Sequence, residues 1–323
     1  MKNYSWDVGR VGDDPDLSGW QPAPEAAMRD TLRTAPAPMT WGTTYIIATE
    51  LLPADRPLLI AVLRALPIGL LLIALTRQLP TGIWWGRMLI LGALNIGIFF
   101  ALLFVAATRL PGGVAATLGA IQPLLVLLLA WPLLHERPTR NRLAAATAGV
   151  IGVGLIVIGP AARLDAIGII AATMATLSMA LGNLLTRRWG RSAPLMVFTA
   201  WQLVAGGILL LPVALLIEGP PPIFDIRMSV GFIYLGIVNT GIAYALWFRG
   251  IERLSPARVA FLGLLSPVVA VLMGFALLGQ QLSGVQLFGM LVVLASILAA
   301  QLDAPGGIWW QRWRRPAAVV AAE

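Results

Sequence analysis

Arg64 is the sole cation inside any long apolar run of this 323-residue chain. It stands seven residues past Pro57, roughly 10 Å into a helix at 1.5 Å per residue. A charge among apolar neighbours is costly unless it is paired, wetted or used, so it marks a candidate site. Its planar fork of N–H donors suits a carboxylate. Glu50, across a short turn, is the nearest acid in sequence. Two readings stand: a structural Arg64–Glu50 pair joining two helices, or an arginine facing a bound anion. Glu50 is also the one acid close enough to an apolar run to carry a coupled proton.

The other polar groups in the apolar runs are neutral. Trp41, Tyr45, Gln202 and Tyr244 would give a cavity aromatic faces and hydrogen-bonding edges, as small-molecule sites have. Asn95 and Asn239 each lie within a run, where a buried amide needs partners from neighbouring helices. Pro123 and Pro267 sit mid-run, and each crowds a carbonyl four residues back, at Gly119 and Gly263. Those carbonyls then need partners, which Gln122 and Ser266 are placed to supply. The four residues Gly119, Pro123, Gly263 and Pro267 are expected to act as hinges, or else as kinks for packing alone.

Other chemistry has no residues to carry it. The chain has no cysteine and a single histidine, His135. No metal-ligand spacing, phosphate loop or catalytic triad is present. No catalytic residue, cofactor or metal site is expected, and acid–base pairs for an enzyme are missing.

The elements that position these groups are membrane helices. Hydrophobic residues make up 58% and charged residues 12%, with a mean hydropathy of +0.82. Ten runs have the length that crosses about 30 Å of hydrocarbon: near 35–52, 57–76, 88–108, 112–134, 142–159, 165–185, 194–217, 229–249, 257–278 and 283–302. The first is weak, broken by Pro36 and Pro38. The net charge of +8 raises nucleic acid as a partner, but its placement argues for a bilayer instead. With alternating sides from a cytoplasmic N-terminus, 18 basic residues fall inside and four outside, at Arg56, Arg109, Arg163 and Arg227. That asymmetry is the positive-inside pattern of an inner or plasma membrane protein with both termini cytoplasmic. Trp84, Trp85, Trp309, Trp310 and Trp313 flank arginines at run ends and read as an interfacial aromatic belt. Ala145, Gly149 and Gly152 form a small-residue face for helix packing.

Shifted by 144 positions, the chain matches itself without a gap, with 17 identities over the 49 residues from Leu91 to Thr139. Asn95 meets Asn239, Gly119 meets Gly263 and Pro123 meets Pro267. Shared composition alone gives roughly one identity in ten, so the repeat is architectural. Ten spans in two halves leave five in each, and an odd number inverts the second half. The expected fold is therefore all-α and integral to the membrane, with ten transmembrane helices as two inverted five-helix repeats around a midplane site. The halves are 35–160 and 164–302. Residues 1–34 are polar, with no apolar core of the signal-peptide kind, and read as a disordered cytoplasmic tail. Residues 303–323 form a Trp/Arg-rich cytoplasmic tail.

These residues resemble the EamA-domain members of the drug/metabolite transporter superfamily over about 35–302. The resemblance rests on an ordered set: Trp41-Gly42-Thr43-Thr44-Tyr45, Arg64, Pro123 and Leu133-Leu134-His135-Glu136-Arg137 in the first copy. The second copy has Trp201-Gln202-Leu203, Pro267 and Leu277-Leu278-Gly279-Gln280-Gln281. The family resemblance implies ten helices in two inverted halves and export of amino acids or other small metabolites by alternating access. Members commonly carry Glu where this chain has Gln280. The expected partners are a small-molecule metabolite and the lipid bilayer, with oligomers possible. A nontransporting membrane scaffold or sensor, and an integral-membrane enzyme, are the alternative classes.

Overall fold

The computed structural model describes residues 24–53, 55–110, 118–157, 165–279 and 281–302, and these contain helices and no strand. The helices are α1 (Pro24–Thr34), α2 (Pro36–Gly42), α3 (Thr44–Leu51), α4 (Pro57–Thr76), α5 (Trp84–Gly92), α6 (Ile98–Arg109), α7 (Gln122–Leu134), α8 (Arg140–Val157), α9 (Ala166–Trp189), α10 (Leu195–Glu218), α11 (Ile226–Gly236), α12 (Ala243–Arg253), α13 (Pro256–Leu262), α14 (Leu265–Leu278) and α15 (Gly284–Leu302). A π turn, Ala93–Gly97, joins α5 to α6, and another, Ile237–Ile242, joins α11 to α12.

Seven stretches are long and apolar enough to cross a membrane: Pro57–Thr76, Trp84–Leu103, Ala166–Trp189, Leu195–Glu218, Ile226–Arg253, Pro256–Leu278 and Gly284–Leu302. The other three expected runs differ in form. The first is broken into α2 and α3, of 7 and 8 residues. Thr43 makes the break: its N–H and its hydroxyl both donate to the Thr40 carbonyl, at 3.0 and 2.7 Å. A hydroxyl that takes a backbone carbonyl competes with the helix ladder. The fourth run appears as the 13-residue α7. The fifth is α8, which opens on Arg140, Asn141 and Arg142.

The repeat seen in the sequence recurs in local geometry. Under the shift of 144, the two π turns coincide, and the left-handed caps at His135 (φ 60°) and Gly279 (φ 65°) coincide. The extended residues that end α6 and α12, Leu110 and Leu254, also coincide. The two-residue turns before α7 and α14 fall one position apart. Those turns correct one expectation. Pro123 and Pro267 do not kink a continuous helix; each lies in the first turn after a break. There a missing N–H costs nothing, because the first N–H groups of a helix have no intrahelical acceptor.

The helices pack on glycines. Gly69 and Gly207 bring α4 and α10 together, Gly92 and Gly206 do so for α5 and α10, and Gly152 and Gly289 for α8 and α15. Gly149 also faces α15, at Ser296. A Cβ at Gly206 would lie 2.4 Å from Ile96 Cβ and 2.6 Å from the Gly92 carbonyl oxygen. Gly206→Val is therefore expected to destabilise the fold by about 1–3 kcal/mol, read as a lower thermal unfolding midpoint in detergent. Large apolar side chains such as Leu216, Ile233 and Leu291 face outward, as they would toward lipid.

Residues 24–34 are not an unstructured tail. They form α1, with Glu25 in its first turn and Arg33 in its last, matching the helix dipole. Asp30 accepts from Arg249 at 3.0 Å. The Thr31 hydroxyl donates to Gln301 at 3.1 Å. A short polar segment thus gains order from ion pairing and packing against α12 and α15. Residues 1–23 and 303–323 lie outside the described residues.

Candidate functional site

Arg64 is buried, 5% exposed, on α4. Its Nε donates to Thr240 Oγ1 at 2.9 Å and its Nη2 to the Asn239 carbonyl at 3.4 Å. The guanidinium lies over the Phe100 ring, 4.9 Å from the centroid. All of these partners are neutral. Among the described residues no carboxylate pairs with Arg64. The expected structural pair with Glu50 is absent: Glu50 is exposed at the end of α3, and its backbone carbonyl accepts from Arg227. From α4, Arg64 meets the α11–α12 connection instead.

The second π turn organises the site. A π turn offers backbone groups that a regular helix would consume. The Asn239 carbonyl there accepts from Arg64 and also from Trp41 Nε1, at 3.0 Å. The Asn239 side chain enters the break in the first run. Its Nδ2 donates to the Thr40 carbonyl at 2.8 Å and to Thr43 Oγ1 at 3.2 Å; its Oδ1 accepts from Thr44 Oγ1 at 3.2 Å. Thr43 Oγ1 also shares a hydrogen bond with the Tyr234 hydroxyl at 2.9 Å. The buried amide is thereby satisfied, as its position within apolar helices requires.

An aromatic wall adjoins this network. Trp41 stacks at a tilt on Tyr244, 5.2 Å between centroids, and on Trp247, 4.9 Å. Tyr244 continues to Phe248 at 5.7 Å, and Phe248 to Phe198 at 6.1 Å. Trp247 Nε1 donates to Asn183 Oδ1 on α9 at 3.3 Å. Gln122 lies beside Gly263 and Trp247, with its Nε2 buried and without a hydrogen-bond partner among the described residues. Ser266 presents its carbonyl to Gly42, where a Cβ would stand 2.6 Å from it. Glycine is required at that approach.

Of the residues named from sequence, Trp41, Arg64, Asn239 and Tyr244 come together, with Ser266 against the same helix break and Gln122 near Trp247. Asn95 and Gln202 instead form a second buried pair: Asn95 Nδ2 donates to Gln202 Oε1 at 2.8 Å. Asn95 Oδ1 fills the space where Gly182 lacks a Cβ. The Tyr45 side chain and Gln280 lie outside the described residues. The sequence reading missed Thr240 and Phe100. The signal for Phe100 was available, because it is the repeat partner of Tyr244.

A broken helix, a buried cation held by neutral groups and an aromatic wall thus come together beside membrane-length helices. The description "EamA-like transporter family" matches residues 35–158 and again 166–300. The chain belongs to the EamA-like transporter family. It is similar to "Protein PecM" of Dickeya dadantii, 47% identical over 267 residues, which cover 82% of this chain and 90% of that one. A "Probable amino-acid metabolite efflux pump" of Salmonella typhimurium is 27% identical, covering 80% of this chain and 90% of that one. A solved structure with 21% identity superposes with a TM-score of 0.73, covering 85% of this chain and 97% of that chain, and shares the fold. Like the EamA-like family, the chain is a multi-pass membrane transporter, not an enzyme.

Proposed function

We propose that the chain is a secondary exporter of a small metabolite that carries an anionic group, working by alternating access between two inverted five-helix halves. The observation that carries this reading is Arg64: a buried cation in a membrane-length helix, bonded to Thr240 and Asn239 and to no described acid. A cation so placed is stabilised by an incoming anion, and a guanidinium fork matches a carboxylate in two contacts. The Trp41–Tyr244–Trp247 wall gives the rest of the molecule an apolar face. The printed role of the Salmonella typhimurium relative, amino-acid metabolite efflux, fits a carboxylate-bearing substrate.

The packing supports inverted halves. Taking α2–α3 as the first span and α15 as the tenth, the main contacts exchange into one another when the halves are swapped. The second span packs on the seventh and the fifth on the tenth, each pair mapping to itself. The third packs on the sixth as the eighth does on the first, and the fourth on the sixth as the ninth does on the first. A contact set closed under exchange is what a pseudo-two-fold axis produces. With ten spans in an inner membrane and both termini cytoplasmic, reporter fusions after Glu218 and after Gln280 should read the outer side. A fusion after Arg191 should read the cytoplasm. The opposite result at any of the three would break the inverted arrangement.

Purified protein in liposomes tests transport itself. Loading the vesicles with labelled amino acids and related carboxylates, and measuring efflux, should show saturable export of at least one. Amine-only analogues of the same size should not compete. A protein that moves none of them while binding them would be the sensor or scaffold reading instead.

A further inference from the structure

The geometry points to a specific site for the phosphate of an anionic phospholipid at Arg87, between Trp84 and Trp189. Trp84 opens the membrane-length stretch Trp84–Leu103, and Trp189 closes the membrane-length α9. Both indoles thus stand at helix ends on one face of the bundle, the level of lipid headgroups. The Arg87 guanidinium carbon is 4.9 Å from the Trp84 ring centroid and 5.5 Å from that of Trp189. These stacked contacts are the only ones shown for the guanidinium among the described residues; no described carboxylate or carbonyl takes its side-chain N–H groups. Stacking uses the faces of a guanidinium and leaves its in-plane donors available.

The frame around this cation is built and not incidental. Trp84 meets Phe198 edge-on at 6.2 Å, and both indoles pack on the buried cluster of Met88, Leu91, Val197 and Trp201. Trp201 Nε1 donates to the Gln78 carbonyl at 2.9 Å, which ties down the loop before α5. Charge complementarity names the occupant. Arg77 and Arg188 are exposed on the helix ends beside it, and no Asp or Glu occurs in the sequence from Arg56 to His135 or from Ala166 to Ile217. The one acid in an ion pair at that end of α9, Glu252, is already taken by Arg191 at 2.8 Å. The outer face of α5 then supplies what a lipid needs and a free anion does not. Ile83 (68% exposed) and Ile90 (46%), four residues before and three after Arg87, share its helix face and point outward. A phosphodiester takes the fork in two contacts, while its acyl chains run down that apolar face.

The full chain in nanodiscs tests this. Discs of phosphatidylcholine are compared with discs of phosphatidylcholine mixed with phosphatidylglycerol, and the lipid retained after detergent extraction is counted by native mass spectrometry. Wild type should keep phosphatidylglycerol selectively. Arg87→Ala should lower that retention by about fivefold, the factor for one arginine at an anionic surface. Trp189→Ala, which keeps the charge and removes one stacking face, should lower it in part. Arg188→Ala should change it little. Thermal unfolding in pure phosphatidylcholine discs checks that each variant is folded. Arg87→Lys keeps charge without the fork and should lose most of the selectivity. Full retention by Arg87→Lys, or equal losses in Arg87→Ala and Arg188→Ala, would mean diffuse attraction and would overturn the site. Displacement of phosphatidylglycerol by soluble glycerol 3-phosphate would also overturn it, in favour of a free-anion site.

Discussion

Arg64→Ala should cut export at low substrate by at least about tenfold while leaving the protein in the membrane. The guanidinium is held by Thr240, the Asn239 carbonyl and the Phe100 face, so the alanine variant loses contacts to neutral groups and strands no buried carboxylate. Removing a charge-assisted contact to a substrate costs about 1.5–3 kcal/mol, roughly ten- to 150-fold in export at low substrate. Arg64→Lys keeps the charge but not the planar fork, and should keep a small residual activity. Thr240→Val removes the acceptor at constant shape, so the arginine is less well aimed; apparent affinity should weaken while maximal export is largely kept. Arg227→Ala, on an exposed surface, should leave export unchanged. Glu50→Ala should neither reproduce the Arg64→Ala defect nor rescue it, since the two side chains are not partners. Rescue in the double variant would show a coupling that bypasses the observed bonds and would remove the substrate-facing role. Export by liposomes with equal protein incorporation is the measurement.

What could be read from the sequence, and what could not, follows from the range of each signal. The helices came from long apolar runs, and the repeat came from identities at fixed offset; both signals extend over tens of residues. The equivalence of the two π turns was implicit in Asn95 and Asn239, yet nothing in composition marks a π turn, because it depends on one extra residue per turn. The first span looked weak for a good reason: its hydroxyls at Thr40, Thr43 and Thr44 are the groups that break it and receive Asn239. Order in residues 24–34 was hidden because it comes from Arg249 and Gln301, distant in sequence. The Arg64–Glu50 pair, one of the two readings the sequence left open, is absent for the same reason. Proximity along the chain pointed across the nearest turn, while the true partners lie about 175 positions away on the second π turn. A side chain deep in a helix chooses among everything packed around it, and a single sequence does not rank those neighbours.

A pH gradient alone should not drive uphill export. Coupling needs a group that binds a proton on one side of the membrane and releases it on the other, and arginine stays charged throughout. Every carboxylate among the described residues lies at a helix end, in a loop or on α1, and none lies within the interior of a membrane-length helix. Most already hold structural posts. Asp165 and Asp225 cap α9 and α11. Glu218 accepts the Leu58 and Leu59 N–H groups, each at 2.7 Å, at the start of α4. Glu252 pairs with Arg191 at 2.8 Å, and Asp30 with Arg249. Of the rest, Glu25 and Asp55 are exposed, Glu136 lies in the loop after α7 near Arg187 and Arg142, and Glu50 is exposed at the end of α3, where a proton exchanges with one side only. The protein should therefore act as a facilitator or exchanger, with export following the substrate's own gradient or a counter-substrate. Proteoliposomes holding substrate at equal concentration on both sides, given an imposed pH gradient, should show no net movement. Adding unlabelled substrate outside should speed efflux of label. Uphill movement driven by the pH gradient, and lost in Glu50→Gln, would refute the prediction and identify Glu50 as the coupling group; its exposed position would then have to become buried during the transport cycle.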